Sequence, residues 1–141
     1  MKKSIILILI TSLVILSCNK YPEGPSFSLL TAKSRLCNDW KLIDHSVDGE
    51  NLFDASVNTA WSFDKDGTYS QSNISELLGQ VQGTHSHGTW EFDDKKKNIY
   101  MTNAEIVALP ITYEILELRS SSMKLKRIIY GDPYIWTFES K

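Results

Sequence analysis

Trp61-Ser62-Phe63-Asp64-Lys65-Asp66-Gly67-Thr68-Tyr69 decides the fold. Successive side chains on a strand point to opposite faces, so Trp61 and Phe63 share one face and Ser62 occupies the other. Asp64 to Gly67 supplies turn chemistry and Thr68-Tyr69 restarts the alternation, which makes the stretch a β-hairpin. Working outward, the same signature recurs at Trp40-Lys41-Leu42, Trp90-Glu91-Phe92 and Trp136-Thr137-Phe138. Turn formers punctuate the rest: Asp93 to Asn98 before Ile99-Tyr100-Met101, Arg119 to Ser122 before Met123-Lys124-Leu125, and Gly131-Asp132-Pro133 before Tyr134. Strands are therefore expected near residues 39–46, 59–64, 67–73, 86–93, 97–103, 111–118, 122–130 and 133–139. Eight strands in meander order predict an all-β protein built as an antiparallel up-and-down barrel, because closure removes the two edges that an open sheet leaves exposed. A two-sheet sandwich is the alternative.

Three segments depart from period two. Ser28 to Leu36 carries apolar residues at 29, 30, 32 and 36 with Lys33 and Arg35 opposite, a short N-terminal helix that would cap one barrel end. Ile74 to Val81 places apolar residues at i, i+3, i+4 and i+7, the spacing of one amphipathic helix, and Ala104 to Pro110 is an apolar loop. Both would frame a mouth; alternatively the 74–81 stripe closes the barrel end as ordinary core. Long connections carry binding more often than short ones.

The N-terminus addresses location. Met1-Lys2-Lys3 is followed by an apolar run, Ile5 to Leu16, broken only by Thr11 and Ser12 and too short to span a bilayer, and then by Ser17-Cys18. It resembles a bacterial lipoprotein signal in which Ile15-Leu16-Ser17-Cys18 is the lipobox. That resemblance implies a signal peptide over 1–17 and a mature chain starting at Cys18, acylated on its sulfur and its amino group. Each buried methylene adds about 0.8 kcal/mol to membrane affinity, so several chains hold a protein at the membrane. Residues 18–27 read as the lipidated cysteine and a tether rich in turn formers, and residues 28–141 as the barrel domain. No acidic cluster follows the cysteine, which points to a periplasm-facing place in the bacterial cell envelope.

The whole chain has 15 basic and 17 acidic residues. Residues 1–17 contain two lysines and no acid, so their removal leaves 13 against 17, a formal charge of −4. Nucleic acid is not an expected partner. Cys37 is the only cysteine besides Cys18, which precludes an intrachain disulfide in a lipidated chain, and its place beside Leu36 reads as a buried structural thiol.

The short helix, the tryptophan opening the first strand, the Trp61 to Tyr69 hairpin, Gly88-Thr89-Trp90-Glu91-Phe92, and Tyr113 to Leu118 followed by Met123-Lys124-Leu125 together resemble the lipocalin-like domain of small Bacteroidota lipoproteins. The resemblance covers about residues 28–141 and implies a barrel. Where lipocalins usually carry a glycine two residues before the first tryptophan, this chain has Asn38, which tolerates a left-handed backbone better than most residues.

An eight-stranded barrel is either filled by its own side chains or just wide enough for one small ligand. The first reading is therefore a binding module that takes a small apolar or amphipathic molecule in its mouth, with Trp40, Trp61, Trp90, Trp136, Leu77, Leu78 and Ile106 as ligand-binding residues. The second is a solid barrel acting through its surface as a protein-interaction or accessory envelope module, with the protein partner unspecified. His85-Ser86-His87 and Glu91 share one strand face, a start on a zinc site, but Trp90 and Phe92 occupy the other face; inward tryptophans put the histidines in solvent. No metal and no cofactor are expected. The aspartates are explained by hairpin turns, no serine sits in a nucleophile elbow and no phosphate loop is present, so no enzyme activity is expected.

Overall fold

The computed structural model describes residues 21–23, 28–106 and 109–141, with the backbone alone at Leu77. The expected signal segment, Cys18 and most of the expected tether lie outside the described residues. A helix, α1 (Ala32–Leu36), precedes nine strands: β1 (Asp39–Val47), β2 (Glu50–Asn51), β3 (Val57–Phe63), β4 (Thr68–Leu77), β5 (Gln80–Phe92), β6 (Asn98–Asn103), β7 (Ile111–Leu118), β8 (Ser122–Ile129) and β9 (Asp132–Ser140). All but β2 form a ring of eight antiparallel strands in meander order, closed by β1 against β9 from Trp40 opposite Ser140 to Val47 opposite Tyr134. The barrel expected from the sequence is thus the fold. The two-residue β2 pairs only with the end of β1.

The helix is shorter than its amphipathic spacing suggests. Thr31 is extended and accepts a hydrogen bond from the Ser34 N–H at 3.0 Å, which makes it the N-cap and starts the helix at Ala32 rather than near Ser28. Leu36 is fully buried, and its carbonyl accepts from the Trp40 indole N–H at 2.9 Å, fixing helix to first strand. Asn38 does not adopt a positive φ. Its Oδ1 accepts from the Asp39 N–H at 2.9 Å, so a glycine would have no conformational task here.

Residues 74–81 correct the helical expectation. They form a hairpin in which β4 and β5 run on to Leu77 opposite Gln80, joined by Leu78 (φ 53°) and Gly79 (φ 74°). Two strands meeting at a two-residue turn reproduce the i, i+3, i+4, i+7 spacing by accident, since Ile74 and Val81 belong to different strands.

Each Trp-X-apolar pair shares its inward face. Trp40, Phe63, Ile99, Met101, Ile115, Leu118, Met123, Leu125 and Phe138 are essentially inaccessible and fill the half of the barrel nearest α1. Trp90 joins them, its indole donating to the Asp64 carbonyl at 3.1 Å. Gly88 sits where no other residue fits: a Cβ there would lie 1.9 Å from the Thr102 carbonyl oxygen and 2.9 Å from the Tyr69 ring. Tyr21 also packs into this end, its ring under the Arg35 guanidinium at 5.8 Å. Glu23 donates its N–H to the Leu116 carbonyl at 2.9 Å and ion-pairs with Lys124.

Candidate ligand site at the open end of the barrel

The barrel interior changes character at one layer. β3 and β7 stand four places apart in a ring of eight and therefore face each other, yet Trp61 and Tyr113 meet edge to face at 5.5 Å across the axis. Phe138 lies 4.9 Å from Trp61, and Trp136 lies 5.4 Å from Tyr113. Together the four rings make a floor. Between floor and α1 the interior is solid; beyond it, the inward positions of β3, β4 and β5 turn polar.

On β3, β4 and β5 the inward residues past the floor are Thr59, Gln71, Asn73, Thr84 and Ser86, as the pairings Trp61 opposite Gln71 and Gln71 opposite Ser86 dictate. They satisfy one another. Thr59 Oγ1 donates to Asn73 Oδ1 at 2.8 Å, Asn73 Nδ2 donates to Thr84 Oγ1 at 3.3 Å, and Ser86 Oγ donates to Gln71 Oε1 at 3.2 Å.

The facing wall, formed by β1, β9 and β8, is different. A bulge between Leu42 and Asp44 shifts the alternation of β1 and turns His45 and Val47 inward, where His45 stacks on Trp136 at 5.1 Å and 12°. Burial lowers the His45 pKa, against the pull of Asp44, so its imidazole is neutral. Its Nε2 is buried and has no hydrogen-bond partner among the described residues. On β8, Arg127 continues the inward series Met123, Leu125 and stands opposite Tyr134. Its guanidinium lies 6.0 Å from the Tyr113 ring centroid. Burial raises the Tyr113 pKa and the neighbouring Arg127 charge pulls it back. No carboxylate among the described residues comes within ion-pair distance of Arg127.

This half of the wall is also less continuous. β1 and β3 pair only over residues 39–41, and past that point a cleft of about 520 Å³ opens between them, lined by Leu42, Phe53, Ala55 and Val57 among others. β5 pairs with β6 from Gly88 onward, with the Ala104 N–H donating to the His87 carbonyl at 2.9 Å, so residues 80–86 are laddered to β4 alone.

Of the residues singled out in the sequence, Trp40, Trp61 and Trp90 are 0%, 7% and 6% exposed and belong to the core or the floor. Trp136 is half-buried and has one face on His45. Leu78 projects from the tip of the β4–β5 turn and Ile106 from the β6–β7 connection, both exposed on the rim; the Leu77 side chain lies outside the described residues. Arg127, Tyr113, Tyr134 and His45 were not in that set. The period-two series Met123, Leu125, Arg127 carried the signal for Arg127, whereas the β1 bulge hid that of His45. His85 and His87 are exposed and point outward, as the inward Trp90 requires; His87 Nδ1 lies 3.6 Å from Glu105, and no group of three metal-ligating side chains assembles among the described residues. Cys37 is a half-buried free thiol whose pKa is pushed up by burial.

No protein-family model and no curated protein matches the chain. Among solved structures, japanin from Rhipicephalus appendiculatus, in a form bound to cholesterol, superposes with a TM-score of 0.59 at 11% identity, covering 79% of each chain. An NMR structure of a protein from Bacteroides uniformis superposes with a TM-score of 0.51 at 19% identity, covering 77% of this chain and 90% of that one. At these identities the likeness is one of fold, and the chain has a lipocalin-like barrel.

Proposed function

We propose that this protein is a lipid-anchored module of the bacterial cell envelope, facing the periplasm, whose barrel takes a small amphipathic molecule into its open half. One observation carries the reading. Past a closed aromatic floor, Arg127 is turned inward with no carboxylate beside it among the described residues and His45 with its Nε2 unbonded, although a barrel filled for stability alone gains nothing from such groups. Japanin's bound cholesterol is consistent with a small molecule held by this fold. The aromatic floor confines the site to the open half and excludes a ligand spanning the barrel.

The anchor in this reading is Cys18. Tyr21 is buried at the closed end, so the intervening residues reach about 10 Å at full extension. Anchoring there sets the closed end against the membrane and the mouth away from it. Cys18→Ala is expected to move the protein out of the membrane fraction, and its retention there would refute the anchor.

Native mass spectrometry of the protein after incubation with an envelope extract tests the binding reading. A retained small mass, lost on replacing Arg127, is the expected result. A bare polypeptide mass would favour the solid-barrel reading, in which the surface binds a protein.

A further inference from the structure

Resting on that reading, we infer that the ligand is an anionic amphiphile bound head inward: Arg127 at the floor pairs with its acidic head, and its aliphatic tail runs outward to the rim. Three features of the open half converge on this chemistry.

The first is charge. Among the described residues Arg127 is the inward cation of the open half, while its neighbour Lys126 points outward to Glu114 at 2.7 Å. This half-buried guanidinium spends a donor on the Tyr113 hydroxyl and has no carboxylate among the described residues; its remaining planar donors match a carboxylate or phosphate two bonds at a time. Charge-assisted bonds of this kind are about twice as strong as neutral ones. The unpartnered Nε2 of His45, on the same β1–β9–β8 wall, offers a neutral second contact.

The second is the order of polarity along the axis. The floor below Arg127 is closed by Tyr113 and Trp136, so a head group stops there. Toward the mouth, the half-buried inward positions Val47, Ile111 and Ile129 are aliphatic. Past them, Ile106 and Leu109 stand exposed on the β6–β7 connection at 60% and 89%. A tail pointing outward has these aliphatic side chains on one side and, on the other, the polar row of β3, β4 and β5 whose groups already bond one another, whereas the reverse orientation would place it against the guanidinium.

The third is the surroundings. The carboxylates at the mouth, Asp48, Glu50, Glu76, Glu105 and Asp132, are all exposed and repel an anionic head from the rim. They leave the interior as its favourable site.

The protein held in lipid nanodiscs, with empty discs as reference, should be titrated with octanoate, its neutral isostere octanamide, and octyl phosphate, following tryptophan emission. Octanoate or octyl phosphate is expected to bind at least tenfold more tightly than octanamide, and the tighter of the two anions identifies the head as carboxylate or phosphate. Arg127→Met should abolish that preference while octanamide binding persists, and Arg127→Lys should restore part of it. Equal binding of all three probes, or a preference that survives Arg127→Met, would overturn the head-inward assignment and leave the binding module standing. Binding of none would remove both.

Discussion

The two ends of this barrel are made of the same strands and obey different rules. At the closed end, side chains are buried and apolar, indoles are bonded to carbonyls of the helix and first turn, and connections are charged: Asp64 to Gly67, Asp93 to Lys97 and Arg119 to Ser121. At the open end, inward positions mix a polar row on β3, β4 and β5 with His45, Arg127 and aliphatic residues on the facing wall, the ladders part in two places, and every connection displays a large exposed apolar side chain: Leu52, Leu78, Ile106 with Leu109, and Tyr130. Three of the open-end turns are two-residue loops with positive φ at both positions. Asp48-Gly49 follows the usual chemistry, but Leu78 (φ 53°) and Tyr130 (φ 54°) occupy positions where Asn or Asp is favoured. The closed end is built for stability, and the open end departs from that rule where a ligand would enter.

That contrast can be broken most severely where the wall is tightest. Gly88→Ala forces a Cβ onto the Thr102 carbonyl and should lower stability by at least about 3 kcal/mol in urea titrations; a loss under about 1 kcal/mol would show that the wall yields there. Trp40→Ala should cost about 3–5 kcal/mol, whereas Trp136→Ala, already half-exposed, should cost less than about 2 kcal/mol. Equal losses would erase the distinction between the ends.

The closed end was largely legible. Trp40, Trp61, Trp90 and Trp136 announce their strands because each has an apolar partner two residues on, and Asp64 to Gly67 and Asp93 to Asn98 announce their turns by composition. The open end was not, for physical reasons. Leu78-Gly79 lacks the usual Asn or Asp, so nothing marked the turn and its flanking apolar residues mimicked a helix. The bulge in β1 reverses the parity that would have kept His45 outside. The floor depends on Trp61 meeting Tyr113, residues far apart in sequence that only barrel closure brings together.

Smaller effects sharpen the contrast. Leu78→Asn and Tyr130→Asn should each raise stability by about 0.5–1 kcal/mol by relieving the left-handed strain, measurable as higher melting temperatures. No gain would mean that the tips pack on something that compensates. Acid offers the gentlest probe. Asp66, at the closed end, and Asp54, at the open end, have pKa values lowered by hydrogen bonds from Thr68 and Ser56. Stability from such groups is complete above the unfolded carboxylate pKa and lost as pH falls through the lower folded value. Stability should therefore decline below about pH 4, and Asp66→Asn should flatten part of that decline.

The central claim, that only the open half admits a ligand, can be read from the four indole N–H signals in a ¹H–¹⁵N spectrum during titration with 1-anilinonaphthalene-8-sulfonate, an anionic apolar probe. The Trp136 signal should shift and saturate while those of Trp40 and Trp90, bonded to Leu36 and Asp64, stay in place. Movement of Trp40 and Trp90, or a Trp136 signal indifferent to the probe, would contradict the account.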